Sequence, residues 1–233
     1  MRLALKFATI LSLVFTQASS QDYNKGIKAY EAGDHTTALK ELKPLVDSGN
    51  RLFQNLFGNM YEFGKGELKD YKKAVKFYRL SAEQDYADAQ FNLGNMLENG
   101  KGVLQDSTEA VKWYKLSAEQ GFVKAQHNLG SMYALGKGVL VDFAEAMKWW
   151  RLSAKQGYAN THSNLGNMYE GGYSVLQDNL KAHMWYNISS ANGYEIAGEY
   201  RDKVASKMTT EDISKATAMA KECMKSDYKK CGY

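Results

Sequence analysis

A 22-residue string recurs at a fixed period of 36: FGNMYEFGKGELKDYKKAVKFY at 57–78, LGNMLENGKGVLQDSTEAVKWY at 93–114, LGSMYALGKGVLVDFAEAMKWW at 129–150 and LGNMYEGGYSVLQDNLKAHMWY at 165–186. A segment this short cannot bury its own apolar face, so a chain built from copies of it must stack them into an array. The same recurrence decides how the glycine-rich stretch is read. A phosphate-binding loop needs glycine, four residues, then Gly-Lys-Ser/Thr, because a hydroxyl must reach the bound magnesium. Here five residues separate Gly94 from Gly100, and Gly102 stands where the hydroxyl belongs. A nucleotide loop is not copied four times at one period, whereas a turn between helices in a repeat is.

The copies begin at Arg51, Ala87, Val123 and Ala159, and the last ends at Tyr194. Each divides into helix A and helix B around the glycine turn. In the second copy Ala89, Leu93, Met96 and Leu97 fall on one stripe at helical spacing, which predicts helix A over Ala87 to about Asn99. Asp106 with Glu109, and Asp142 with Glu145, carry the spacing of a capping box and open helix B. Gly58, Gly94, Gly130 and Gly166 lie inside helix A, where glycine costs about 1 kcal/mol relative to alanine. The expected compensation is close approach of helix B through Ala74, Ala110, Ala146 and Ala182. The aromatic pairs Phe77/Tyr78, Trp113/Tyr114, Trp149/Trp150 and Trp185/Tyr186 are expected to supply most of the core. Gly121, Gly157 and Gly193 close helix B, and Asp85 takes that place in the first copy.

The ends differ from the array. Residues 23–50 form a shorter unit, with Gly26 and Ala38 only twelve apart, and Pro44 is expected to kink or shorten its second helix. Beyond Tyr194 two further helices are expected, the second opening at Thr209 or Thr210. The first 20 residues place Arg2 and Lys6 before an apolar run from Phe7 to Phe15 and small residues Ala18, Ser19 and Ser20, the order of a secretory signal. That run falls short of the roughly 20 apolar residues a membrane helix needs. An uncleaved anchor is the alternative. The formal charge is +4, and loss of the acid-free leader removes two of those charges, too small a balance for a nucleic-acid binder. In an oxidising compartment Cys223 and Cys231 would close a small loop that pins the tail; two free thiols are the alternative.

The 36-residue motif L-G-x-M-Y-x-x-G-K-G-V-x-x-D-x-x-x-A-x-x-W-Y resembles the Sel-one-like repeat family, and the twelve-residue spacing of the first unit resembles tetratricopeptide repeats. The fourth copy departs from the motif at Tyr173 and Ser174, which puts its turn geometry in doubt. The chain thus reads as all-α: a right-handed α-solenoid of stacked helix-turn-helix repeats. Its parts are a signal peptide (1–20), a tetratricopeptide-like capping unit (21–50), four repeats (51–194) and a C-terminal helical cap and tail (195–233). The resemblance implies an adaptor or regulatory role, in bacteria often in the envelope, in secretion or in host contact.

The residues expected to meet a partner are polar positions of helix A on the curved face that such arrays present. Asn59, Asn95, Ser131 and Asn167 share one position; Asn92, Asn128 and Asn164 share another. Amides both donate and accept, which suits a peptide backbone. The same asparagines could instead hold neighbouring repeats together. Phe91 and His127, one residue earlier, are the expected side-chain readers. His35, His127, His162 and His183 occupy different places in the repeat, so no metal or cofactor is called for. Cysteine-rich secreted members of the repeat class are associated with penicillin binding or β-lactam hydrolysis. Here Ser226 and Lys229 match S-x-x-K by letters alone, without S-D-N or K-T-G, so a serine enzyme stands only as an alternative. A structural or self-associating envelope protein is a third reading. The principal expectation is an exported, non-enzymatic module with a protein or peptide partner, without nucleic acid and without stable membrane insertion once the signal is cleaved.

Overall fold

The computed structural model describes residues 23–232, and the leader expected over 1–20 lies outside them. The chain is helical, with α1 at 23–31, α2 at His35–Asp47, α3 at Arg51–Phe63, α4 at Tyr71–Ala82 and α5 at Ala87–Asn99. There follow α6 at Ser107–Glu119, α7 at Val123–Leu135, α8 at Phe143–Ala154, α9 at Ala159–Gly171, α10 at Asn179–Ala191, α11 at Ile196–Ala205 and α12 at Thr210–Lys225. Helix A of the successive repeats is α3, α5, α7 and α9, and helix B is α4, α6, α8 and α10. Two compact units divide the chain, Met1–Gln105 and Asp106–Tyr233, so the second repeat gives α5 to the N-terminal unit and α6 to the C-terminal one. In the N-terminal unit α3 packs on α2 and α4, and α4 on α5. In the C-terminal unit α7 packs on α6 and α8, α9 on α8 and α10, and α11 and α12 close over α10.

The turns explain the recurrence. Gly64, Gly100, Gly136 and Gly172 end helix A in the left-handed conformation, and their N–H groups return to the carbonyls of Met60, Met96, Met132 and Met168. A second left-handed residue follows two positions on. A Cβ at Gly102 would strike the Tyr71 backbone, and one at Gly138 the Ser107 backbone, so the turn is glycine because it lies against the preceding helix B. Ser174 keeps the conformation, with φ 60°, so the fourth turn is retained despite the departure from the motif. Asp70, Asp106, Asp142 and Asp178 then cap helix B, accepting from the amides of Lys73, Glu109, Glu145 and Lys181 at 2.8–3.0 Å. Glu109 and Glu145 accept from the Trp113 and Trp149 indoles, both at 3.1 Å.

Three local expectations are corrected. Pro44 does not shorten its helix: α2 runs unbroken through it to Asp47, because only the last turn loses a donor. The glycine inside helix A faces an aromatic ring and not alanine. A Cβ at Gly58 would lie 2.5 Å from the Tyr78 ring, at Gly130 2.6 Å from Trp150 and at Gly166 2.6 Å from Tyr186. The alanines of helix B are fully buried all the same. Third, the second member of each aromatic pair is buried in every repeat, at Tyr78, Tyr114, Trp150 and Tyr186, whereas the first is buried only at Trp149 and Trp185 and half-buried at Phe77 and Trp113.

The C-terminal cap belongs to the core. Cys223 and Cys231 form a disulfide, and both are buried in one cluster with Met168, Trp185, Tyr186, Val204, Ala216 and Ala220. Between them Tyr228 stacks on His162 at 5.1 Å and donates to Asn192 Oδ1 at 3.0 Å. The expectation that this loop would only pin a tail is therefore too weak: it seals the last repeat.

Candidate functional site

The helix A surface is held by side chains that recur with the period, and these must be separated from those free to meet a partner. Ser81, Ser153 and Ser189 of helix B donate to the first carbonyl of their own helix A, on Arg51, Val123 and Ala159, at 2.7, 3.1 and 2.8 Å. Gln90 and Gln126 donate to the carbonyls of Ala82 and Ala118 at the end of the preceding helix B. His162 occupies that glutamine position in the fourth repeat, and its Nε2 meets the Ala154 carbonyl at 3.1 Å. The exchange is paired. Gln156 donates to Gln126 Oε1 at 2.9 Å, whereas Asn192 meets His162 Nδ1 at 3.5 Å. A carbonyl can only accept, so His162 carries its proton on Nε2 and offers a bare Nδ1 to Asn192.

His127 is fixed by a proton count. The Ser153 hydroxyl donates to the Val123 carbonyl and so can only accept from Thr161, 2.9 Å away. The Thr161 proton is then spent, and Thr161 Oγ1 must accept from His127 Nδ1 at 2.8 Å. The imidazole therefore carries Nδ1–H and leaves Nε2 as an acceptor, with Tyr158 edge-on to the ring at 5.1 Å. Burial lowers the pKa of both His127 and His162 to about 4, so both rings are neutral at neutral pH. Thr161 and Ser153 were not singled out in the sequence, although Thr161 stands where the two preceding repeats have Ala89 and Ala125. A polar residue at an otherwise apolar repeat position was the available signal. Thr161 is fully buried and faces His127 from inside, so this row of hydroxyls is no nucleophile for a substrate.

The candidate residues fall into two groups. Asn92 donates to Asn55 Oδ1 of the preceding repeat at 3.1 Å, so it holds the stack. Asn59 and Ser131 donate back to carbonyls four residues earlier on their own helices, Asn55 and His127, both at 3.1 Å. Asn167 accepts from the Tyr186 hydroxyl at 2.6 Å. Phe91 is half-buried on α5. Asn95, Asn128 and Asn164 remain half-buried at the helix A surface, with no side-chain hydrogen bond among the described residues. Asn128 and Asn164 share the C-terminal unit, on α7 and α9.

Neither a metal site nor the serine motif gains a centre. No group of three or more histidines, cysteines or carboxylates converges among the described residues. Ser226 is the C-cap of α12: its hydroxyl donates to the Cys223 carbonyl at 2.8 Å and accepts from the Lys230 amide at 2.9 Å.

Helix pairs of this geometry, repeated along the chain, define an α-solenoid repeat protein. The Sel1 repeat model matches residues 53–86, 87–122, 123–158 and 160–194, and the chain belongs to the Sel1 repeat family. Among solved structures it is similar to a Sel1 repeat protein from Oxalobacter formigenes, with 29% identity and a TM-score of 0.75 over 86% of this chain and 82% of that one. A chain from Klebsiella pneumoniae subsp. pneumoniae described as a sel1 repeat protein shares the fold, with 20% identity and a TM-score of 0.51 over 81% and 96%. No curated protein matches the sequence. Sel1 repeats serve in general as protein-interaction modules.

Proposed function

We propose that this chain is an exported adaptor that binds a peptide segment of another protein on the helix A surface, and that in the C-terminal unit Asn128, Asn164 and His127 Nε2 make the polar contacts. The observation that carries this is the pair of unpartnered amides at one repeat position on successive A helices. On the same two helices are His127, next in sequence to Asn128, and Thr161, three residues before Asn164, which sets the tautomer of the imidazole. Amides that donate and accept, together with a fixed acceptor, match the alternating N–H and C=O groups of a peptide. Asn95 offers the same chemistry in the N-terminal unit. Export rests on the order of charge, apolar run and small residues in 1–20, and an envelope or extracellular location follows from it. No helix among the described residues is long and apolar enough to cross a membrane.

A photoreactive residue placed at 128 or 164 in cells should crosslink to one and the same protein, and one at the exposed helix B position 112 should not. The same product from all three sites, or none from 128 and 164, would overturn the assignment. Purified chain is expected to leave β-lactams intact, as a chromogenic substrate would report.

A further inference from the structure

The turn between helices A and B carries a leucine in every repeat, and each points into solvent. In the C-terminal unit Leu140 is 89% exposed and Leu176 91%, with Val141 and Tyr173 partly exposed beside them. Gly138, held against the Ser107 backbone, fixes where the Leu140 tip stands. Tyr173 packs on Phe143 with ring centroids 5.0 Å apart, which ties the fourth turn to the start of α8, three residues after Leu140. Next to Leu176 lies a notch of about 370 Å³ lined by Arg151, Tyr169, Val175, Asp178 and Lys181. Lys181 Nζ sits 5.0 Å above the Tyr169 ring, and the Asp178 carboxylate accepts from the first turn of α10. Neither Arg151 nor Lys181 has an ion pair among the described residues.

The N-terminal unit supplies the contrast. Its groove of about 330 Å³ beside the first turn is lined by Lys40, Lys43, Tyr61 and Glu67. There Lys43 pairs with Asp47 at 2.7 Å, and Lys73, above the Tyr61 ring, pairs with Glu67 at 3.1 Å. Val175 stands in the fourth turn where Glu67 stands in the first, so the second notch lacks that carboxylate and keeps only Asp178, which accepts from the Lys181 amide and pairs with neither cation.

We infer that the turn edge of the C-terminal unit docks on an anionic bilayer surface, with Leu140 and Leu176 entering the interface and Arg151 and Lys181 receiving a lipid phosphate. Two apolar tips on separate turns do not make the continuous surface that a protein partner needs, but a fluid interface accepts them singly. Cations left unpaired beside them match an anionic headgroup. These residues are not those of helix A, so the inference stands or falls apart from peptide binding.

The test is co-sedimentation of the full chain with vesicles of phosphatidylcholine alone and with phosphatidylglycerol added, all variants carrying the same residues 1–20. Binding should require phosphatidylglycerol and weaken with salt. Leu140→Ser/Leu176→Ser and Arg151→Gln/Lys181→Gln should each lower affinity about tenfold or more, at unchanged helical melting. Leu68→Ser/Leu104→Ser should change it less. Wild type that binds both vesicles equally or neither, C-terminal variants that bind like wild type, or an equal loss from the N-terminal pair would each overturn the inference.

Discussion

The two units are built on one repeat but fastened differently. In the N-terminal unit neighbouring helices are joined by amides: Asn92 to Asn55, Gln84 to Gln54, and Gln90 to the Ala82 carbonyl. In the C-terminal unit His127 and His162 take over two of these positions, and a disulfide closes the end. A repeat frame fixes where a fastener must sit while leaving its chemistry open. An amide is indifferent to pH, and a buried imidazole is not. The C-terminal unit is therefore expected to be the more sensitive to acid and to reductant.

Acid should produce the largest effect. Both imidazoles are neutral in the fold, with pKa lowered by burial from 6.5 to about 4, and an unfolded chain protonates them near the ordinary value. Their stabilisation is complete above about pH 6.5 and is lost as pH falls toward about 4, with each ring contributing on the order of 1 kcal/mol per pH unit. The four tryptophans, at 113, 149, 150 and 185, all lie in the C-terminal unit, so their fluorescence reports on it alone. Denaturant midpoints followed by fluorescence should fall steeply between pH 6.5 and 4. His162→Gln, which installs the residue of the preceding repeat, should flatten the slope; an unchanged slope would count against His162 as the acid-sensitive fastener.

Reduction should come next. Opening Cys223–Cys231 releases a short loop, for which chain entropy gives about 2–3 kcal/mol. Because Tyr228 and both cysteines pack on the core around Trp185, the loss should appear in tryptophan fluorescence and not only in protection of α12. A fluorescence midpoint unmoved by reduction would return the loop to the status of a pinned tail.

Most of the frame was legible in the sequence because the period gives four readings of every position. Helix starts at Arg51, Ala87, Val123 and Ala159, the aspartate caps and the C-terminal helix at Thr210 all follow from residues that recur or from capping chemistry. The glycine at 58, 130 and 166 was visible as a close approach, but not what approaches: tyrosine and tryptophan lie across it, a matter of side-chain direction and not of spacing. The site was less legible. Asn128 and Asn92 hold one position in the repeat, yet Asn92 finds Asn55 on the preceding helix. The residue at the matching place before Asn128 is Phe91, which carries no amide. Whether an asparagine fastens or remains free depends on the residue 37 positions before it, and Thr161 shows how a single replacement redirects a histidine.

The smallest expected effect on stability bears most directly on the central claim, that the asparagines of the helix A surface that meet a partner are not those that fasten the repeats. Asn128→Ala/Asn164→Ala should be compared with Thr161→Val for denaturant midpoint and for capture of the protein crosslinked from position 128. The asparagine pair should lose capture while stability changes by about 0.5 kcal/mol or less. Thr161→Val should lower stability by about 1–3 kcal/mol by leaving buried partners unpaired. Retained capture by the asparagine variant, or a loss of stability equal to that of Thr161→Val, would contradict the account.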